Sequence, residues 1–107
     1  MPPVVYTPEA RDDIDAAYAD YEDKLIGLGD RFLDALAQRV RVIEGSPGLY
    51  GEIIPGVRAA PLRRFPFVVY YREEPTQVVI FAVRPGREDP RIWQWRARQS
   101  NPPSGPT

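Results

Sequence analysis

The spacing of apolar positions divides the chain into a helical first half and a strand-rich second half. Apolar side chains in the first half recur every three or four residues, the period of an amphipathic helix. One such stripe covers residues 8 to 24, and a second begins at Leu28, with the segment GLG at residues 27 to 29 between them. Because so short a connection makes two helices run antiparallel, the pattern predicts a helical hairpin.

Specific residues mark where these helices begin and end. After a short β-favouring run at residues 4 to 6, Thr7 is placed as an N-cap and Pro8 as the first helical residue, with acidic residues in the first turn. Those acids face the positive end of the helix dipole. The second stripe ends at GSPG, residues 45 to 48, where glycine and proline terminate a helix.

Three β-favouring runs follow, at residues 57 to 62, 65 to 72 and 77 to 84. The connection EEPT between the last two is tight, which predicts an antiparallel meander. Alternation along the middle run places Phe65 and Phe67 together on one face, as core residues. It places Tyr70 and Tyr71 on opposite faces, so at least one of them belongs to the core.

The C-terminal segment predicts one more helix and a tail. Asp89 is suited to be an N-cap and Pro90 a first helical residue, so the segment RIWQWRAR is predicted to form a short helix. Trp93 and Trp95 are two residues apart and cannot share a helix face. We expect Trp93 to pack on the sheet and Trp95 to be exposed. The composition of residues 99 to 107 predicts a disordered tail.

Together these elements predict an α+β fold: an N-terminal strand, an antiparallel helical hairpin, a three-stranded antiparallel meander and a short C-terminal helix. The length of 107 residues predicts a single domain, placed at residues 1 to 98. No apolar run approaches the 18 or more residues of a membrane span, and the first residues lack the order of a signal peptide. A cytoplasmic location without membrane association is therefore expected.

The charge is distributed unevenly. Residues 1 to 53 contain eleven acidic and five basic side chains, whereas residues 54 to 107 contain nine basic and four acidic ones. The basic half is suited to a polyanion or an acidic partner. An isoelectric point near 5.4 argues against direct nucleic-acid binding. The chain has no cysteine and no histidine, so neither a metal site nor a cofactor is expected.

Three segments resemble the ParE/RelE superfamily of small bacterial toxins from type II toxin–antitoxin modules. They are YTPEARDDI from residue 6, SPGLYGEIIPGVRAAPLRRFPFVVYYR from residue 46 and VRPGREDPRIW from residue 83. The likeness covers residues 4 to 96 and implies a two-layer sandwich. It further implies a stable toxin in an oligomeric complex with a cognate antitoxin, which wraps an extended and helical segment around the hairpin and sheet.

The resemblance leaves more than one target open. RelE-like members cleave mRNA inside the ribosome, whereas ParE-like members inhibit DNA gyrase without being enzymes. The RelE-like strand arginine falls at Val68 and the C-terminal tyrosine at Trp93, and only Arg87 matches. Many relatives carry a histidine where this chain has Pro85 and an arginine where it has Glu88. The mismatches at Val68 and Trp93 favour a gyrase inhibitor, whereas the departures at Pro85 and Glu88 indicate either an altered target or a toxin that has decayed. An mRNA interferase and a non-toxic antitoxin-binding remnant are the alternatives.

Proton transfer for RNA cleavage would fall to carboxylates or tyrosines, because a guanidinium does not deprotonate in proteins. A binding surface needs no such pair, and we place it on the mixed face of the sheet and the C-terminal helix. One or two of the arginines at 58, 63 and 64 are alternatively expected to pair with carboxylates at residues 12 to 23. The candidate contact residues are Arg58, Arg64, Tyr70, Arg87, Arg91, Trp95 and Arg96.

Overall fold

A computed structural model describes residues 2–99, which form five strands and three helices. The predicted tail lies outside these residues except for Gln99, which ends the last helix. A short 3-10 turn at Pro47–Leu49 follows the second helix. In chain order the elements are β1 (Val4–Tyr6), α1 (Pro8–Lys24), α2 (Leu28–Gly45), β2 (Glu52–Ile54), β3 (Val57–Pro61), β4 (Phe67–Glu73), β5 (Val78–Pro85) and α3 (Pro90–Gln99).

The five strands form one sheet in the order β1-β5-β4-β3-β2. β1 lies parallel to β5, and the remaining neighbours are antiparallel. The predicted meander of β3, β4 and β5 and the α+β fold class are therefore confirmed. The strand β2 was not predicted. It turns into β3 through Pro55 and Gly56, where Gly56 adopts φ 81°. A three-residue strand with only exposed side chains has no alternation to reveal it.

The helical hairpin has the predicted boundaries and N-cap. The Ala10 amide donates to the Thr7 hydroxyl oxygen at 3.1 Å, and Pro8 is the first helical residue. Between the helices, the amides of Gly27 and Gly29 donate to the Glu22 carboxylate at 3.0 and 2.8 Å. A β-carbon on Gly29 would lie 2.9 Å from the Tyr18 backbone oxygen, so the helices approach as closely as they do because this residue lacks one.

The sheet has a buried core on each of its faces. The hairpin covers one face, where Phe32, Leu36 and Ile43 pack with Val69, Tyr71 and Ile80. α3 covers part of the other face, where its Ala97 and Trp93 pack with Val57, Tyr70 and Phe81. Phe65 and Phe67 pack against the hairpin-side core, as predicted. Tyr70 and Tyr71 lie on opposite faces, and both are buried.

A β-bulge interrupts β5 next to β4. Tyr70 pairs with Ala82 and Tyr71 with Ile80, so Phe81 is an extra residue without an opposite partner. Phe81 and Ala82 consequently both face the α3 side. The bulge also redirects the backbone of β5 just where β1 has ended at Tyr6.

The buried Tyr71 phenol links the sheet to the turn after α2. Its hydroxyl donates to the Pro47 carbonyl at 2.5 Å, and burial raises the pKa of Tyr71 to about 12. The folded state therefore binds this proton more tightly than the unfolded chain does. The resulting stabilisation is complete below pH 10 and is lost as the pH rises through about 12.

We predict that Tyr71→Phe lowers the free energy of unfolding by about 1 kcal/mol at pH 8, because the Pro47 carbonyl loses its donor. Between pH 10 and 12 the variant should lose less stability than the wild type, since phenylalanine has no phenol hydroxyl to ionise at this position. Urea unfolding at pH 8, 10 and 11 measures both effects. Equal slopes against pH for the two proteins would contradict the assignment.

Candidate functional site

Part of the predicted contact surface is assembled on the outward side of α3. Trp95 is 56% exposed and Ile92 40%, and the Arg91 side chain is 86% exposed. Spacing of three and four residues brings these side chains and Arg98 to one side of the helix. We call Arg91, Ile92, Trp95 and Arg98 the outer face of α3. The exposure predicted for Trp95 is confirmed.

The opposite side of α3 is attached to the sheet. Trp93 stacks on Tyr70, with ring centroids 5.1 Å apart and planes at 15°, so the predicted packing of Trp93 is confirmed. Arg72 donates to the Ala97 carbonyl at 2.7 Å, in the last turn of the helix. Tyr70 is only 6% exposed. Its proposed role as a surface contact is therefore corrected: Trp93 covers its ring.

Asp13 connects α3 to the rest of the fold. Its carboxylate is 6% exposed and accepts from the Val83 amide at 3.0 Å. It also accepts from Arg84 at 3.2 Å and from Arg96 at 3.0 Å. Arg96, predicted as a contact residue, has a side chain only 15% exposed. Its guanidinium is thus committed to Asp13 rather than displayed.

This network fills the place that a longer β1 would occupy. The Thr7 amide still bonds the Ile80 carbonyl at 3.0 Å, but beyond that point β1 no longer accompanies β5. The Asp13 carboxylate accepts from Val83, and Arg96 donates to the Phe81 carbonyl at 3.1 Å. Side chains of α1 and α3 therefore satisfy backbone groups on this edge of β5 that would otherwise be buried without partners.

The network extends from Arg84 into the turn before α3. Arg84 donates through Nε to Glu88 at 2.8 Å, with a second contact between the same two side chains. Hydrogen bonding to Glu88, followed by the charge of Asp13, raises the pKa of Arg84 above its usual value despite burial. Glu88 thereby holds the turn against β5, while Arg87 in the same turn is exposed.

The remaining predicted arginines lie elsewhere. Arg58 donates to the Tyr50 carbonyl at 2.6 Å and pairs with Glu52 and Glu73 at 3.7 and 3.5 Å. Arg58 of β3 therefore links the neighbouring strands β2 and β4 through their glutamates. Arg64 lies in the exposed loop between β3 and β4. The prediction that arginines at 58, 63 and 64 pair with α1 carboxylates is wrong. Arg84 and Arg96 make that pairing instead.

Asp13 was not among the candidates, although the sequence contains a signal for it. It is three residues after Ala10 and four before Ala17, both buried, so it lies on the apolar stripe of α1. A carboxylate on a buried stripe requires a cationic or amide partner. The stripe could have identified Asp13 as a paired residue, but not its partners, which are 70 or more residues away.

Comparison with known families decides what kind of protein this is. Residues 4–90 match the family described as the ParE toxin of type II toxin-antitoxin systems, parDE. The chain belongs to the ParE toxin family. This membership confirms the resemblance carried by the three sequence segments.

A solved structure supports the same fold for this ParE family member. It is described as a chromosomal ParDE TA system from P. aeruginosa, with a TM-score of 0.71 and 22% sequence identity. The alignment covers 79% of this chain and 96% of that chain. The comparison with curated proteins gave no match. The family match ends at residue 90, where α3 begins, so the outer face of α3 lies beyond it.

The carboxylates considered for proton transfer in this ParE family member are engaged by neighbouring side chains. Glu73 pairs with Arg58, Glu74 accepts from Gln77 at 2.9 Å, and Asp89 pairs with Arg91 at 2.6 Å. Burial raises the pKa of Tyr70 as well as that of Tyr71. Within residues 2–99 there is no group of three or more carboxylates that could coordinate a metal ion.

We predict that Asp13→Asn lowers the free energy of unfolding by about 3 to 5 kcal/mol, because Arg84 and Arg96 lose their shared carboxylate. Asp12→Asn is the matched control: Asp12 is exposed, and its substitution should change stability by less than about 0.5 kcal/mol. Thermal unfolding followed by circular dichroism compares the two. A similar small effect in both variants would show that the Asp13 network contributes little.

Proposed function

We propose that this protein is a toxin that a cognate antitoxin neutralises in an oligomeric complex, and that the free toxin inhibits DNA gyrase by binding it. Membership of the ParE family supports the toxin–antitoxin part of this proposal. The contact with gyrase would use the outer face of α3 and the neighbouring Arg87. An exposed tryptophan next to arginines is the composition typical of residues that dominate protein interfaces.

One observation supports binding over catalysis: the side chains that could act as acid or base already bond to arginines. Glu88 is bonded to Arg84, and Asp89 to Arg91, so neither carboxylate is positioned to take a proton from a ribose hydroxyl near Arg87. The side chains at the two RelE-like positions, Val68 and Trp93, cannot transfer protons. They pack on the α3 side of the sheet. Inhibition by occupancy needs only the exposed surface.

The proposal also assigns a compartment. Gyrase acts on chromosomal DNA, so the toxin would work in the cytoplasm. Within residues 2–99 the structure contains no helix with the length and hydropathy needed to cross a bilayer.

We predict that the purified chain inhibits DNA supercoiling by gyrase. Trp95→Ala should raise the concentration for half-inhibition by at least about tenfold, since tryptophans that become buried at an interface contribute most to its binding energy. Ile26→Ala is a control for loss of an exposed apolar side chain, because Ile26 is 91% exposed at the distant end of the hairpin. Induced expression should slow growth and activate the DNA damage response.

Three outcomes would contradict the proposal. Rapid cleavage of mRNA with supercoiling unaffected would indicate an interferase. Unimpaired growth and no inhibition of gyrase would indicate a non-toxic antitoxin-binding remnant. Equal inhibition by the wild type, Trp95→Ala and Ile26→Ala would place the contact away from α3.

A further inference from the structure

Arg72 differs from the other arginines that lie against the sheet. It belongs to β4 and is half-buried on the side that α3 covers, where its Nη2 donates to the Ala97 carbonyl at 2.7 Å. Arg58, Arg84 and Arg96 each pair with at least one carboxylate. Arg72, in contrast, forms no ion pair with any residue between 2 and 99, and its buried Nε finds no acceptor in that range.

The Arg72 guanidinium lies between the bulge of β5 and the turn from β2 to β3. Its central carbon is 5.8 Å from the ring centroid of Phe81, the extra residue of the bulge, and an aromatic face attracts a cation. A β-carbon on Gly56 would lie 3.3 Å from Nη1 of Arg72, so the turn leaves the guanidinium only the space it needs. The bulge and the turn together hold this cation at the end of α3.

This position of Arg72 costs folding free energy. A guanidinium that loses water needs a carboxylate or a full set of acceptors to offset the loss, and Arg72 has one carbonyl and one ring. Burial accordingly lowers the pKa of Arg72, although the charge of Glu74 acts in the opposite direction. Well-packed apolar side chains often replace buried charges without loss of stability. An arginine that is unfavourable for the fold in this way indicates a role in function.

The bond from Arg72 acts on the backbone of the last turn of α3. The last four carbonyls of a helix have no partner within the helix, and the Ala97 carbonyl is one of these four, since α3 ends at Gln99. A cation at this end also interacts favourably with the helix dipole. α3 has ten residues, fewer than an isolated helix needs to be stable in water. Its last turn therefore depends on contacts with the sheet.

We propose that Arg72 is a positioning residue for the contact with gyrase: by binding the Ala97 carbonyl it fixes the last turn of α3, and with it Trp95 and Arg98 of the outer face. Trp95 is two residues before Ala97 and Arg98 is one after it, so the directions of both side chains follow the backbone at this point. The inference rests on the proposed function, because it concerns the same surface. Affinity falls with the fraction of molecules in which the last turn is formed.

The test compares two substitutions in the full-length chain. Arg72→Met removes the charge and every donor, whereas Arg72→Lys keeps the charge and a donor that can reach a carbonyl. Arg72→Met should raise the concentration for half-inhibition of gyrase supercoiling at least about fivefold, with a urea midpoint equal to or above that of the wild type. Arg72→Lys should inhibit more strongly than Arg72→Met.

Arg41→Met is the matched control for loss of an arginine. Arg41 is an exposed residue of α2, and the hairpin covers the face of the sheet opposite to α3. This variant should therefore inhibit gyrase as strongly as the wild type does.

Amide hydrogen exchange provides a measurement that a general loss of stability would not reproduce. In Arg72→Met the amides of residues 96 to 98 should exchange at least about fivefold faster than in the wild type, because the last turn of α3 opens locally. The amides of β4 and β5 should exchange at the wild-type rate. A uniform increase in all three elements would show that Arg72 supports the whole fold, and would overturn the inference.

The results separate this inference from the proposed function. Where the wild type inhibits gyrase, equal inhibition by Arg72→Met and Arg41→Met overturns the inference and leaves the proposed function standing. A lower urea midpoint for Arg72→Met, or inhibition by Arg72→Lys no stronger than by Arg72→Met, also overturns it. If the wild type does not inhibit gyrase, the proposed function fails, whereas hydrogen exchange still decides whether Arg72 fixes the last turn of α3.

Discussion

The buried carboxylate of Asp13 is the contact on which the arrangement of this fold depends. Removing a carboxylate from water is costly unless cations and donors surround it, and here two guanidiniums and one amide do so. These partners come from β5 and α3, while Asp13 itself belongs to α1. One charge therefore fixes the hairpin, the bulged strand edge and the terminal helix relative to one another.

This attachment divides the arginines by role. Arg84 and Arg96 neutralise Asp13, and Arg58 joins the strands at the sheet edge. Arg31, Arg63 and Arg64 are exposed and form no ion pair with any residue between 2 and 99, which makes them suited to a partner. α3 has the same division on one helix: Arg96 faces inward and Trp95 outward. The family match stops where α3 starts, so the outer face of α3 lies outside the matched segment.

Local patterns predicted most of the fold, because caps, helical periods and alternating strands are encoded in neighbouring residues. Such patterns predicted the helix start at Thr7 and Pro8, the glycines at the helix junction and the three strands of the meander. β2 was missed, since its isoleucines are both exposed. The site was less predictable: Tyr70 and Arg96 were expected at the surface, but their burial depends on α3 folding over β5. Distant pairing of that kind leaves little trace in a single sequence.

A double-mutant cycle of Asp13→Asn and Arg96→Gln, measured by urea unfolding, tests most directly whether one carboxylate ties α3 to the hairpin. The two side chains are in contact at 3.0 Å, so we predict a coupling energy between about 0.5 and 3 kcal/mol, the range found for residues of one hydrogen-bond or salt-bridge network. Effects that add to within about 0.5 kcal/mol would contradict it, because α3 would then be held independently of Asp13.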